Sequence, residues 1–216
     1  MTRPSPRGRR TARPSGDERE LAILATAERL LAEQPVTAIS IDDLARGAGI
    51  SRPTFYFYFA SKDAVLLALL DRVIAQVNTT ARTVLDDVGN DPAGHWRSAI
   101  RVFYEAFREH RTVVVAAAAA RGSHGEGRRL WAGVMELWTG RTAAAIEAER
   151  ARGAAPAGIP ARDLAVILNS TNERVLYGTF TGDGPAVPEA TVVESLTTVW
   201  LRAIYGTTTP VPVDPH

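Results

Sequence analysis

Between Ser40 and Asp63 the chain reads SIDDLARGAGISRPTFYFYFASKD, and it concentrates side chains able to hydrogen-bond to nucleic acid. Hydroxyls, phenols and cations of this kind suit phosphate oxygens and base edges. The spacing predicts two short helices joined by a tight glycine turn, followed by the start of a third. That is the outline of a helix-turn-helix DNA reader.

The elements that must position these groups follow from the same residues. Ser40 is a good cap for a helix over Ile41 to Ala48, with Asp43 three residues on at the positive helix end. Ala45 is small where a second helix has to cross, Gly49 can take the left-handed conformation that ends a helix sharply, and Ile50 plugs the core. Ser51 caps the next helix and Pro53 falls in its first turn, where a missing amide hydrogen costs little. At 3.6 residues per turn Phe55 and Phe59 share one face, whereas Phe57 and Pro53 lie nearly opposite, with Tyr56 beside them. Ser61 caps a third helix and places Lys62, the single lysine of the chain, in its first turn, where it could hold a phosphate. A plain helical hairpin with its aromatics packed inward would share part of this pattern. A first helix begins at a capping box, Ser15 with Glu18, carries a stripe of Ile23, Leu24, Ala27, Leu30 and Leu31, and stops at Pro35.

The run from Ala22 to Leu70 resembles the amino-terminal domain of the TetR family of bacterial repressors, with P-T-F-Y-F-Y-F ending the reader and S-K-D-A-V-L-L opening a long fourth helix. RGRRTARPSGD at Arg7 to Asp17, ISRPTFYFYF at Ile50 to Phe59, AVLLALLDRV at Ala64 to Val73, ERARGAAP at Glu149 to Pro156 and the N-x-x-N-E-R of Asn169 to Arg174 extend the resemblance, to a ligand-responsive branch of that family, over nearly the whole chain.

Composition fits such a regulator. The 216 residues suffice for one large or two small domains, and 45% apolar content supports a real core. No apolar run approaches the ~18 residues of a membrane span and no secretory signal is visible, so a cytoplasmic location without membrane contact is expected. Without cysteine there are no disulfides or thiolate metal sites, and His95, His110, His124 and His216 are scattered without ligand spacing. No metal and no cofactor are expected. Net charge is only +1, but residues 1–16 carry five arginines (Arg3, Arg7, Arg9, Arg10, Arg13) and no acid, which leaves the rest at −4. Such a Pro-, Gly- and Arg-rich arm is suited to following a DNA groove or backbone by releasing counterions. Its structural alternative is a solubilising tail.

Beyond Ser61 the chain reads as all helix, over roughly 61–80, 93–109, 111–121, 125–152, 161–181 and 188–205, with breaks rich in Gly, Pro or Asn. Val65, Leu69, Val73 and Val77 continue one long helix out of the reader. The expected fold is all-α: an arm over 1–16, a three-helix helix-turn-helix domain over 17–64 and a helical ligand-binding and dimerisation domain over 65–216. Large apolar side chains form stripes in the latter, Trp96, Ile100, Phe103 and Phe107 on one helix and Trp131, Met135, Trp138 and Thr142 on another. Stripes of this kind build a core or a cavity. Asn169, Asn172 and Glu173, on an inward face with Leu176, need polar partners, and a ligand could be one.

The resemblance implies a long, largely apolar tunnel lined by Trp96, Phe103, Phe107, Trp131, Met135, Trp138, Thr142, Asn169, Asn172 and Trp200, with Asn172 as main polar anchor. The sequence departs from the pattern at Arg141, where an aromatic is expected beside Thr142, and over Gly122 to Gly127. The last two helices are apolar on wide faces, Leu164, Ile167, Leu168, Val175 and Leu176 on one and Val193, Leu196, Val199, Trp200, Ala203 and Ile204 on the other, which suits a homodimer and matches the family's two-fold symmetry. Candidate DNA contacts are Arg9 and Arg10 of the arm, Ser40, Ser51, Arg52, Pro53, Thr54, Tyr56, Phe57, Tyr58 and Lys62. The function expected is a non-enzymatic repressor of double-stranded operator DNA, released by a small, elongated apolar ligand. A helical carrier of apolar ligands without a DNA target is the alternative. Paired pocket carboxylates, a nucleophile elbow and a metal constellation are all missing from the sequence, which argues against an enzyme.

Overall fold

A computed structural model describes residues 15–85, 88, 91–120, 125–182 and 184–210. The arm residues Arg9 and Arg10 and residues 122–124 of the Gly122 to Gly127 stretch lie outside the described residues, and α7 already begins at Gly125. Among those described, the chain forms helices and no strands: α1 (Gly16–Glu33), α2 (Ile41–Gly47), α3 (Arg52–Tyr58), α4 (Lys62–Leu85), α5 (Pro92–Glu109), α6 (Arg111–Ala120), α7 (Gly125–Ala151), α8 (Ala161–Thr181) and α9 (Val192–Tyr205). They divide into two compact units at Val65/Leu66, so that α4 begins in the first and continues in the second.

The first unit is built on local closures. Ser15 and Glu18 form a reciprocal capping box at α1, and Ser40 and Asp43 form another at α2. Ile23, Leu24, Ala27 and Leu30 of α1 are buried with Leu44, Ala45 and Phe55. The α2–α3 turn is a Schellman closure: Gly49 sits at φ 67°, its amide donates to the Arg46 carbonyl at 3.1 Å, and the Ile50 amide reaches the Ala45 carbonyl at 2.9 Å. Ile50 itself is half-buried and so contributes less to the core than expected. α2 and α1 approach so closely that a Cβ at Gly47 would collide with the Thr26 side chain.

In the second unit α5, α8 and α9 pack around two buried indoles, Trp96 and Trp200, with ring centroids 5.2 Å apart. α4 runs about a turn beyond the expected residue 80, because no Gly or Pro interrupts it before Leu85. α9 starts four residues later than expected: the Pro188 carbonyl accepts the amides of Thr191 and Val192 at 3.0 Å, a turn that places Thr191 as N-cap. A buried polar chain ties α5, α7 and α9 together. The Trp96 Nε1–H donates to the Tyr205 hydroxyl at 3.0 Å, that hydroxyl donates to Glu149 Oε2 at 2.7 Å, and Arg152 donates to Glu149 Oε1 at 2.7 Å. Burial, and then the hydrogen bond to Glu149, push the Tyr205 phenol well above its ordinary pKa. Every member of the chain has a partner, as a buried polar network requires.

Candidate nucleic-acid interface and ligand cavity

α3 owes its exposed face to its length and caps. Seven residues make barely two turns; Ser51 Oγ accepts the Thr54 amide at 3.3 Å, and the Thr54 hydroxyl lies 2.8 Å from it. Phe55 and Phe59 point inward with centroids 6.1 Å apart, and the opposite face is left to solvent: Phe57 is 91% exposed and Tyr56 47%. Pro53 and Arg52 are exposed, Thr54 and Tyr58 half-buried. A phenylalanine projecting fully from a helix between two tyrosines is expensive to leave in water, and its ring is suited to thymine methyls and sugars in a groove.

Arg52 Nη1 donates to Asp42 Oδ2 at 2.8 Å, and its guanidinium lies 5.9 Å above the Tyr56 ring. The Tyr56 hydroxyl, and then the charge of Asp42, raise the Arg52 pKa further. Both members of the pair are about half exposed, so it contributes little energy and is readily exchanged for a phosphate or guanine edge. Ser40 and Ser51 are exposed but use their hydroxyls as caps.

Lys62 departs from expectation. Its position in the first turn of α4 is as the spacing requires, but the ammonium turns back to the carbonyls of Val36 at 3.0 Å, Ile39 at 3.2 Å and Thr37 at 3.5 Å. Three acceptors match the three N–H groups of a lysine, so this side chain closes the loop after α1 and is not held out toward a phosphate.

The second unit contains a cavity of about 70 Å³, with room for roughly five water molecules. Leu70, Val73, Ile74 and Val77 of α4, Phe103, Ala106 and Phe107 of α5, Val114 of α6, Trp131, Val134, Met135 and Trp138 of α7, and Asn169, Asn172, Glu173 and Leu176 of α8 line it. Phe103 and Trp138 meet edge to face at 4.4 Å. Seven of the ten expected ligand residues are thus brought together. Trp96, Trp200 and Thr142 are not on the wall. Trp96 is fully buried against Trp200 with its N–H on Tyr205, the Trp200 Nε1–H donates to Asn172 Oδ1 at 3.0 Å, and Thr142 Oγ1 accepts from Asn169 Nδ2 at 3.1 Å. These three stand behind the wall and orient it. The sequence missed α4 as a wall, because its apolar spacing serves equally for a core helix.

The two wall amides differ. Asn169 Nδ2 is taken by Thr142 and by the Ala165 carbonyl at 2.9 Å. Asn172 has its oxygen fixed by the donor-only indole of Trp200, which leaves its Nδ2 buried without an acceptor. Leaving such a donor unmet costs about 1–3 kcal/mol.

Comparison with known proteins decides the family. The chain is 55% identical, over 93% of its own length and 94% of the relative's, to the HTH-type transcriptional regulator EthR of Mycobacterium tuberculosis (strain ATCC 25618 / H37Rv). The chain belongs to the TetR family. The family description "Bacterial regulatory proteins, tetR family" matches residues 23–69, and "Transcriptional regulator EthR, C-terminal domain" matches residues 96–206. The EthR of Mycolicibacterium smegmatis (strain ATCC 700084 / mc(2)155) is 49% identical over 94% of both chains. Among solved TetR-like folds, the fatty acid degradation regulator FadR of Bacillus halodurans superposes with a TM-score of 0.71 at 16% identity, covering 88% of this chain and 97% of that one. A TetR-like regulator from Rhodococcus sp. RHA1 gives 0.67 at 20% identity, covering 90% and 100%; both show the fold alone. As a TetR-family member the chain is a DNA-binding transcriptional repressor and not an enzyme. None of its described helices is long and apolar enough to cross a membrane.

Proposed function

We propose that this repressor is released from its operator when an elongated apolar molecule enters the cavity of the second unit. The observation that carries the reading is the Asn172 amide, a buried donor without an acceptor on a wall that is apolar and aromatic apart from Asn169 and Glu173. A ligand with one hydrogen-bond acceptor would satisfy it while the aromatics bury the remainder. α4 supplies Leu70, Val73, Ile74 and Val77 to that wall and is the same helix that begins at Lys62 beside the reader. A cavity of about 70 Å³ is smaller than such a ligand, so binding selects a wider arrangement of the walls. If DNA favours the narrower one, each ligand weakens the other by the same factor.

The reading includes a homodimer through α8 and α9. Much of the expected apolar surface is used within the protomer, Leu164, Leu168, Leu176, Leu196 and Ile204 being buried; Val166, Ile167 and Val199 remain 44%, 53% and 48% exposed and would form the contact. The DNA face would comprise Arg52, Pro53, Thr54, Tyr56, Phe57 and Tyr58, with the arm adding affinity more than discrimination.

Fluorescence anisotropy with labelled DNA flanking the protein's own gene tests the proposal. Specific, salt-dependent binding that falls as an apolar probe saturates the tryptophan signal is expected. Probe binding without specific DNA binding would favour the carrier reading, and DNA binding indifferent to a bound probe would remove the release mechanism.

A further inference from the structure

One ion pair crosses the turn of the reader and lies on its outward face. Arg52 opens α3, Asp42 stands in the first turn of α2, and Arg52 Nη1 donates to Asp42 Oδ2 at 2.8 Å. On its other side Arg52 Nη2 lies 3.4 Å from the Tyr56 hydroxyl, with the guanidinium 5.9 Å from the centre of that ring. A carboxylate and a tyrosine therefore fix the guanidinium from two sides. Asp42 itself was not among the residues expected at the DNA face.

The pair is exposed and weak enough to open toward DNA, so what Arg52 takes there turns on what becomes of Asp42. Opened toward a phosphate, it strands the Asp42 carboxylate among other phosphates, and a pair of zero net charge gains little from releasing counterions. A guanine edge asks for something else. Its O6 and N7 need two neighbouring N–H groups and no net charge, and a guanidinium that donates to Asp42 and Tyr56 still has N–H groups to spare. Adenine, thymine and cytosine each lack the second acceptor in the major groove. We propose that Asp42 is a positioning residue that turns Arg52 from a phosphate contact into a reader of guanine, and so sets the base preference of the reader. The inference rests on the DNA face proposed above and names a base that it reads.

The full-length protein and its variants are each used to select duplexes from a pool of DNA of random sequence, and affinities for a selected duplex and for the unselected pool are then read by anisotropy over a range of salt. The parent should select a guanine at a position where Arg52→Ala no longer prefers one. Asp42→Asn should lower that preference at least about fivefold, while binding to the unselected pool tightens and its salt slope steepens by about one phosphate contact. Asp42→Glu, which keeps the charge one methylene further out, should keep part of the preference. Thermal unfolding checks that each variant is folded, and Asp42→Ser repeats the test should Asp42→Asn fail to fold. A merely structural Asp42 would weaken binding to all duplexes by one factor and leave the selected base alone. That result, or a guanine lost in Arg52→Ala but kept in Asp42→Asn, overturns the role of Asp42 while leaving Arg52 on the DNA face. If Arg52→Ala changes neither base preference nor salt slope, Arg52 leaves that face and the proposal falls with it.

Discussion

The two units satisfy most of their polar groups in opposite ways, Lys62 with its reach back to Val36 and Ile39 being an exception in the first unit. In the first, hydroxyls and carboxylates close on backbone three residues away: Ser15 with Glu18, Ser40 with Asp43, Ser51 with Thr54. In the second, the deciding bonds span 27 residues from Asn169 to Thr142, 28 from Trp200 to Asn172, 56 from Tyr205 to Glu149 and 109 from Trp96 to Tyr205. Local closure makes a rigid small reader whose outward face is free for a partner. Long-range closure ties helices together, and at the Asn172 amide of the cavity wall it stops short. The difference teaches where to look for a ligand: at the polar atom the packing declines to satisfy.

The contrast is tested most severely at Glu149. Glu149→Ala leaves the Tyr205 hydroxyl and Arg152 facing an empty buried site, and denaturant unfolding should show a loss of about 3–5 kcal/mol. A loss below about 1 kcal/mol would mean the long-range chain is decoration. Lys62 is next. Lys62→Met should lower stability by about 2 kcal/mol, because three carbonyls lose a charged donor, while the salt slope of DNA binding stays unchanged. A flattened slope would return Lys62 to the DNA face.

Asn172→Ala removes the acceptor of Trp200 but also an unmet donor, so the two effects offset each other and stability should fall by only about 1 kcal/mol. Affinity for a cavity probe should fall by a comparable amount in calorimetric titration. Destabilisation without any change in probe binding would make the amide a purely internal one.

The smallest effect lies at Asp43, whose hydrogen bonds from the Ser40 side chain and backbone hold its carboxyl below the ordinary range. A depressed folded pKa contributes stability that is present above the unfolded value near ~4 and lost as pH falls through the folded one. Proton-detected titration of Asp43 should show the low value, and Asp43→Asn should remove this part of the acid dependence.

Which features the sequence revealed follows the same division. Caps, the Gly49 turn and the split of Phe55 and Phe59 from Phe57 depend on residues within one or two turns of each other, and each was readable. The resemblance places Trp96 and Trp200 on the ligand wall, and the apolar spacing cannot correct it, since large apolar residues look the same on a wall and behind it; only packing shows that their N–H groups are spoken for by Tyr205 and Asn172. Lys62 was placed correctly along its helix, but its direction depends on carbonyls 23 to 26 residues earlier.

The arrangement of the indoles has an optical consequence. All four tryptophans belong to the second unit, in two sets: Trp96 and Trp200 in ring contact at 5.2 Å and almost wholly buried, Trp131 and Trp138 on the cavity wall. The buried pair contributes a blue-shifted emission that changes only when the helices come apart, whereas the wall pair answers to whatever touches it. Intrinsic fluorescence therefore carries two separable signals, one for unfolding and one for occupancy, and a bound molecule should quench or shift only part of the emission while the remainder reports that the core is intact.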